Sequence, residues 1–328
     1  MARVSPAPSR APLVSANDDA RGAARRVLGF HLAAFQREEP AARGGDIEAI
    51  HQLRVASRRL RATLQLFAPV LPAAVVGSAI EGLGWLGRGI GAVRDLDVLT
   101  LAIAARSRRL ADEARAALGP LEHALVERRA VALAELGRLL DTARSRRVIS
   151  RLGQLVLSRP AIRGPVRLGD VAGGLLQPLL RAVQRGGRDL DGETPAVALH
   201  RLRVRVKRLR YACEALESLV GDEMRPVLRR LVRLQDVLGE HQDAVTQVVW
   251  LRAYAGSAQL PPATLLAMGA VVDRLERRAV KLRARVRRTW KRFDRPRPRH
   301  VLLESLRDER RQTTRKPRPR SVSRSAQP

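Results

Sequence analysis

The pattern His-x-Leu-Arg-Val occurs twice in this chain of 328 residues, at the start of two stretches with helical periodicity. Residues 51–62 read HQLRVASRRLRA and residues 200–211 read HRLRVRVKRLRY, an offset of 149 positions. A second block recurs at an offset of 148, where LGRGIGAVRDLDVL at 86–99 aligns with LQDVLGEHQDAVTQ at 234–247. Two ordered blocks at nearly one offset predict an internal duplication, and therefore a fold of two similar halves.

The basic side chains of both stretches fall on one side of the predicted helix. At about 100° of rotation per residue, Leu53, Leu60 and Leu64 share an apolar face, and the basic residues occupy a separate arc. Like charges one turn apart destabilise a helix by a few tenths of a kcal/mol per pair. The stripes therefore predict that an anion lies along them. The first stripe is His51, Arg54, Arg58 and Arg61, and the second stripe is His200, Arg203, Lys207 and Arg210.

Composition favours helices over sheets. The chain is 45% hydrophobic but only 3% aromatic, so Ala and Leu supply most of its apolar area. No run of alternating β-branched residues is bounded by hairpin signals. We therefore expect an all-α fold. The predicted helices cover about 18–38, 50–69, 71–91, 93–117, 121–144 and 145–158 in the first half, and about 171–186, 195–220, 222–239, 241–256 and 262–292 in the second.

The charge of the chain predicts a polyanionic partner. The formal net charge is +30, and only four of the 62 basic residues are lysines. Arginine stays charged at all physiological pH values and grips phosphate groups with two parallel hydrogen bonds. A coding bias toward GC-rich codons would also raise the arginine content, but it does not explain why His and Arg recur in two stripes.

The ends of the chain differ in composition from the middle. The first segment is rich in Pro, Ala and Ser, and residues 295–328 hold eleven Lys or Arg against three acids. We expect both ends to be mostly disordered. The predicted organisation is a disordered segment at 1–16, a helical domain at 17–293 with halves at about 17–158 and 166–293, and a basic tail at 294–328.

A single cysteine, Cys213, excludes an intrachain disulfide, and its place on the apolar side of a helix predicts a core residue. The N-terminal stretch lacks the apolar core of a signal peptide, and no stretch is long and apolar enough to span a bilayer. These features predict a cytoplasmic protein with no membrane partner. The sequence leaves the oligomeric state open.

Several motifs invite a catalytic or metal-binding interpretation. GLGWLG at 82–87 matches a dinucleotide-binding fingerprint, but its helical surroundings favour close helix packing or a local bend. His51 and His200 have arginine neighbours, which repel metal ions, so phosphate contact is favoured over metal binding, and a structural role stays open. Asp95 and Asp243 are predicted to orient an arginine or cap a helix, with general-base catalysis as an alternative. We predict no cofactor, no metal and no catalytic residue.

The two stripes and the Gly–Asp blocks downstream of them resemble the CHAD family, the conserved histidine α-helical domain, over roughly residues 17–293. The resemblance implies two four-helix bundles related by a pseudo-twofold axis, with a central basic cleft that binds inorganic polyphosphate, and association with polyphosphate granules. It assigns binding to both stripes, with Arg59 and Arg208 at the rim. The sequence departs from symmetry where Gln242 aligns with Arg94, which makes Arg94 a doubtful contact.

Two other functions compete with polyphosphate binding. The charge of +30 and the Pro/Arg-rich tail suit non-specific nucleic-acid binding, although nine aromatic residues in 328 offer few stacking platforms for bases. An enzyme acting on phosphoanhydrides would use the bound polymer as its substrate, and a granule scaffold that recruits proteins through its tail is a further alternative. We predict a stand-alone binding module that is not an enzyme.

Overall fold

Helices make up nearly all of the part of the chain that the structure, a computed structural model, describes: residues 13–158, 166–220 and 224–295. Outside them lie only turns and one isolated β-bridge between Asp19 and Arg167. The predicted all-α fold class is confirmed. The helices are α1 (Ala20–Arg43), α2 (Ile47–Phe67), α3 (Ala73–Ser107), α4 (Asp112–Ala116), α5 (Gly119–Asp141), α6 (Ala143–Leu157), α7 (Leu168–Gly187), α8 (Ala196–Ala215), α9 (Glu217–Val220), α10 (Met224–Ser257) and α11 (Pro262–Phe293).

Four boundaries differ from the sequence-based prediction. The predicted breaks near residue 92 and residue 240 do not exist, because α3 and α10 each run continuously through them. The helix predicted over 93–117 instead ends at Ser107, and a short turn separates it from α4. The helix predicted over 195–220 ends at Ala215, before α9.

Glycines inside α3 allow other helices to approach it closely. A Cβ atom at Gly82 would collide with the side chain of Val148 on α6, and one at Gly89 would lie 2.6 Å from Cδ1 of Leu139 on α5. Glycine normally weakens a helix interior, but here the packing of α3 against its neighbours compensates. The predicted close approach at 82–87 is therefore confirmed, while the predicted break after this segment is wrong.

The turn before α2 fixes the direction of the first stripe. Gly45 has a φ of 85°, in the left-handed region that glycine adopts without strain. The Asp46 carboxylate then accepts a hydrogen bond of 2.7 Å from the Ala49 backbone N–H and caps the helix. The Arg129 guanidinium of α5 donates to the Gly45 carbonyl at 2.9 Å, which ties this turn to the body of the domain.

Two hydrophobic clusters form the core. The larger one runs through both halves and contains the buried faces of α2 and α8, including Leu53 and Leu60 of the first half and Leu202 and Leu209 of the second. The smaller cluster joins the C-terminal part of α3 to α5, α10 and α11. Because α2 also packs directly against α8, the core brings the two stripe-bearing helices side by side. Cys213 is fully buried in the larger cluster, as predicted.

The two halves begin in the same way. The Ala20 N–H donates to the Val166 carbonyl at 2.8 Å, and the Leu168 N–H donates to the Asp18 carbonyl at 2.8 Å, so the starts of α1 and α7 lie together. The starts of α1 and α7 are 148 positions apart, and those of α2 and α8 are 149 apart. The duplication and its twofold axis stay predictions.

Part of the N-terminal segment that the sequence predicted to be disordered packs against the helical domain instead. Val14 is buried, and its backbone N–H and carbonyl exchange hydrogen bonds of 2.8 and 2.9 Å with the Ser218 hydroxyl. The rest of that segment, the predicted junction at 159–165 and almost all of the basic tail lie outside the described residues. Within the described ranges, none of the helices combines the length and apolar character needed to cross a membrane.

Candidate functional site

The two stripes meet where α2 packs against α8. Burial lowers the pKa of Lys207, and the positive charges of Arg203, Arg58 and Arg54 lower it further. Burial also lowers the pKa of Arg203, and Arg58 and Arg54 again act in that direction against Asp243. Residues from both stripes therefore lie within strong electrostatic reach of one another. We call Arg54, Arg58, Arg203 and Lys207 the basic cluster.

Lys207 is the group in this cluster whose charge depends most on pH. Its pKa falls from 10.5 to about 7, first because burial penalises the ammonium and then because three guanidinium groups repel it. At neutral pH the cluster therefore exists as a mixture of molecules with and without a charge on this amine. An anion in the cluster would favour the charged form.

Aspartates hold the inner arginine of each stripe. The Arg54 guanidinium donates to Asp95 at 2.6 Å and to the Gly91 carbonyl at 3.4 Å. In the other half, Arg203 lies 4.0 Å from Asp243. The two pairs occupy corresponding places in the two repeated blocks, and both aspartates contact an arginine, as the sequence predicted. Each aspartate offsets only part of the local positive charge.

An aromatic ring lies between the stripes at the far end of the cluster. The Cζ atom of Arg58 lies 5.5 Å from the ring centroid of Tyr211, and that of Arg210 lies 5.0 Å away. Glu214 pairs with Arg210 at 3.4 Å and with Arg59 at 3.5 Å. Sequence reasoning missed Tyr211 and Glu214. The available signal was that Tyr211 lies one turn beyond Lys207 and so shares its side of the helix.

The two histidines have different surroundings. His51 is half-buried, and its pKa is lowered by burial and by Arg94, so its ring is neutral at pH 7 in the free protein. His200 is exposed, and its Nδ1 lies 3.0 Å from Oε1 of Gln242. Gln242 thus contacts one histidine, whereas the aligned Arg94 acts on the other. The surroundings of His51 therefore carry one more positive charge at this position than those of His200.

The remaining predicted residues lie at the edge of the cluster. Arg61 and Arg208 are exposed, and the Arg61 guanidinium lies against Gly84 of α3, 3.5 Å from where a Cβ would be. Arg59 pairs with Glu214 and also acts on a buried histidine of α1, His31. Of the predicted rim residues, only Arg208 is both outside the stripes and open to solvent. Arg59 instead joins α2 to α8.

A buried carboxylate that the sequence did not reveal links the helices around the basic cluster. The Asp97 side chain is fully enclosed and accepts a hydrogen bond of 2.6 Å from Arg129, with Arg94 3.8 Å away. Arg129 in turn binds the Gly45 carbonyl at the start of α2. Asp97 lies two residues after Asp95 in the sequence, which gave no sign that Asp97 faces inward. Asp97 therefore links α3, α5 and the turn that directs the first stripe.

Replacing Asp97 with Asn is expected to destabilise the domain by about 2 kcal/mol, because two arginines lose their buried counter-charge while one hydrogen-bond acceptor remains. Chemical denaturation of the purified variant measures this change. Asp112→Asn is the matched control, since the Asp112 side chain is 89% exposed in its pair with Arg115 and should shift stability by less than about 0.5 kcal/mol. Equal stability of the two variants would contradict a structural role for Asp97.

The chemistry that the cluster offers is hydrogen-bond donation by fixed cations. Within the described ranges, no three His, Cys, Asp or Glu side chains lie close enough together to hold a metal ion. The Nε atoms of Arg58, Arg203 and Arg210 are enclosed without a hydrogen-bond partner, so the guanidinium groups are not satisfied by the protein alone. Several partly exposed cations held side by side suit an anion with many oxygens.

Comparison with known proteins identifies the family. A family model of the CHAD domain matches residues 26–252, which include both stripes and both Gly–Asp blocks. The chain belongs to the CHAD family. The predicted resemblance to CHAD is therefore confirmed, and α2, α3 and α8 lie entirely within the CHAD match.

Two solved structures share the fold. The crystal structure of the CHAD domain from the plant Ricinus communis is 27% identical, covers 87% of this chain and 96% of its own, and superposes with a TM-score of 0.72. PptA from Streptomyces chartreusis is 20% identical, covers 85% of this chain and 100% of its own, and has a TM-score of 0.69. A search of the curated proteins found no match. The helical architecture of this CHAD protein is thus shared across distant sequences.

Proposed function

We propose that this CHAD protein binds inorganic polyphosphate along the two stripes and does not act on it chemically. The observation that carries the proposal is the basic cluster, in which Arg54 and Arg58 from one half depress the pKa of Arg203 and Lys207 from the other. A fold that holds like charges close together is stabilised most by a ligand that neutralises them. CHAD membership, through what the resemblance implies, supports polyphosphate as that ligand.

Polyphosphate suits the cluster because it is a linear chain of identical anions. It has no bases to read or stack, so its site needs many charge-assisted donors along a groove and little shape selectivity. Arg54, Arg58, Arg203 and Lys207 would contact its central phosphates. His51 would donate from both ring nitrogens once the bound anion raises its pKa. His200, Arg61, Arg208 and Arg210 would extend the contact toward solvent, and Arg59 would contribute from the rim.

The absence of catalysis is part of the proposal. Asp95 and Asp243 are the carboxylates of the repeated blocks that could act as bases, but each is engaged by an arginine, at 2.6 Å from Arg54 and 4.0 Å from Arg203. A binding role at polyphosphate granules in the cytoplasm follows as the wider proposal. Incubating the full chain with long-chain polyphosphate and Mg²⁺ or Mn²⁺ should release no phosphate. Release that stops when Asp95 or Asp243 is changed to Asn would overturn this part.

Nucleic-acid binding is the second candidate, favoured by the net charge of +30 and by the exposed arginines of α11. These charges would attract any polyanion, but the four residues of the basic cluster are only partly exposed, where α2 packs against α8. A flexible polyphosphate chain would reach these partly exposed side chains more easily than a stiff duplex. The two candidates therefore differ in which polyanion wins a direct competition.

Titration of the full chain with long-chain polyphosphate at physiological salt is expected to give tight binding that a mass excess of duplex DNA does not displace. Binding should also weaken as salt rises, because each neutralised charge releases a counterion. Fluorescence anisotropy of end-labelled polyphosphate measures both effects. Easy displacement by DNA would show that the stripes form a generic basic surface, and it would make nucleic-acid binding the favoured function.

A further inference from the structure

The ring of Tyr211 lies between the two stripes but is closed to solvent. Only 7% of this residue is exposed, so the arginines around the ring, rather than the ring itself, are open to a ligand. The Cζ atom of Arg58 on α2 lies 5.5 Å from the ring centroid, and that of Arg210 on α8 lies 5.0 Å away. Both distances fall within the roughly 6 Å over which an aromatic face attracts a cation. Tyr211 therefore acts on a ligand through the arginines that it contacts.

The arginines of the basic cluster are held in two different ways. The Arg54 guanidinium donates to the Asp95 carboxylate at 2.6 Å, which occupies an N–H group and offsets part of the charge. Within the described ranges no carboxylate pairs with Arg58, and its Nε atom has no hydrogen-bond partner, so the Tyr211 ring is the contact that orients it. An aromatic face attracts a flat guanidinium without accepting its edge N–H groups. Arg58 is thus oriented while its charge and its terminal donors stay available to an anion.

The first half of the chain has no counterpart of this ring. At the offset of 149 that aligns the stripes, Ala62 stands where the second half has Tyr211. The second half also supplies Glu214, which lies 3.4 Å from Arg210 and gives that guanidinium a second contact beside the ring. The aromatic contact is therefore not a repeated element of the two halves. It joins Arg58 of the first half to the second half across the packing of α2 on α8.

We propose that Tyr211 is a positioning residue for polyphosphate, which holds the guanidinium groups of Arg58 and Arg210 in place before the polymer arrives. This inference rests on the proposed function and deepens it. A free arginine loses side-chain conformational freedom when it binds an anion, and that loss weakens binding. An arginine already held by the ring loses less, so the same contact with phosphate gives a tighter complex.

The first test compares Tyr211→Leu with the parent full chain by anisotropy of end-labelled long-chain polyphosphate at physiological salt. The Kd is expected to rise about tenfold, the effect of having to order two arginines on binding. Tyr211→Phe keeps the ring and should restore most of this affinity. In an Arg58→Ala background, Tyr211→Leu should add about threefold or less, because the ring acts largely through that guanidinium. A merely structural tyrosine would add its full loss in both backgrounds.

A second series keeps the size of the buried ring and decides the matter even where Tyr211→Leu does not fold. Phenylalanine carrying one, two or three ring fluorines at position 211 weakens the attraction of the ring for cations step by step. The Kd should rise with each fluorine while the melting temperature stays close to that of Tyr211→Phe. A flat response across the series would overturn the proposal.

The matched control is Tyr254→Leu, which removes a ring that also contacts an arginine. Tyr254 lies 4.9 Å from Cζ of Arg128 and belongs to neither stripe, so the Kd should stay within about twofold of the parent value. Equal losses in Tyr254→Leu and Tyr211→Leu would overturn the positioning role. A parent chain that does not bind polyphosphate would overturn both the proposed function and this inference. Tight binding that Tyr211→Leu and the fluorinated series leave unchanged would overturn the inference alone.

Discussion

Changing Arg54, Arg58 and Arg203 together to alanine is expected to weaken polyphosphate binding by at least roughly a thousandfold. Each arginine supplies charge-assisted contacts worth about 1.5–3 kcal/mol, so losing three exceeds the 4 kcal/mol or so that a thousandfold change in Kd requires. The fold should survive, because these side chains repel one another in the free protein. Their removal also relieves the electrostatic repulsion that they exert on the Lys207 ammonium. Anisotropy measures the binding, and circular dichroism with thermal unfolding measures the fold.

The control for this variant keeps the same loss of net charge. Arg285, Arg287 and Arg288 are exposed on α11 and belong to neither stripe, so changing all three to alanine lowers the charge by the same amount. This control should lose less than about tenfold in affinity, as expected for long-range charge alone. Equal losses in the two variants would mean that net charge, not the basic cluster, holds the polymer. Unfolding of the stripe variant would mean that these arginines are structural.

The stripes could be predicted from sequence because helical periodicity places residues on a face before any tertiary contact is known. Arg54 and Arg58 share one side of α2, and Arg203 and Lys207 share one side of α8, whatever the helices pack against. That the two sides would face each other came only from the resemblance to CHAD. The structure supplies the physical cause, which is the shared apolar core that packs α2 on α8.

The predictions that failed depended on packing between distant segments. Glycines at 82–91 suggested a break, but α3 continues, because its neighbours fill the space that side chains would have occupied. Asp97 and Gln247 look like ordinary helix residues in sequence, and only the positions of α5 and α10 make one a buried counter-charge and the other an unpaired acceptor. Periodicity reports the orientation of a side chain on its own helix and nothing about what lies opposite.

The affinity for polyphosphate is expected to fall by up to about tenfold per pH unit as pH rises above 7, the slope of one linked proton. In the free protein the pKa of Lys207 is about 7, and a bound polyanion raises it, so binding takes up a proton at higher pH. His51, whose pKa is also lowered, acts with the same sign below pH 7. Anisotropy titrations from pH 6 to pH 9 test this, with Lys207→Arg as the control whose charge does not titrate. A parallel slope in that control would exclude Lys207 as the source.

The same amine sets a trade-off between binding and stability. Because the folded pKa of Lys207 lies below its ordinary value of 10.5, the unfolded chain binds more protons between about pH 7 and pH 10.5, and folding stability from this group rises with pH across that window. Below pH 7 the folded protein carries the full cost of the buried charge. Lys207→Met is therefore expected to raise the melting temperature at pH 7 by at least about 2 °C while weakening polyphosphate binding. This gain in melting temperature should shrink as pH approaches 10. If Lys207→Met instead loses both stability and binding, the Lys207 ammonium stabilises the fold as well as binding the anion.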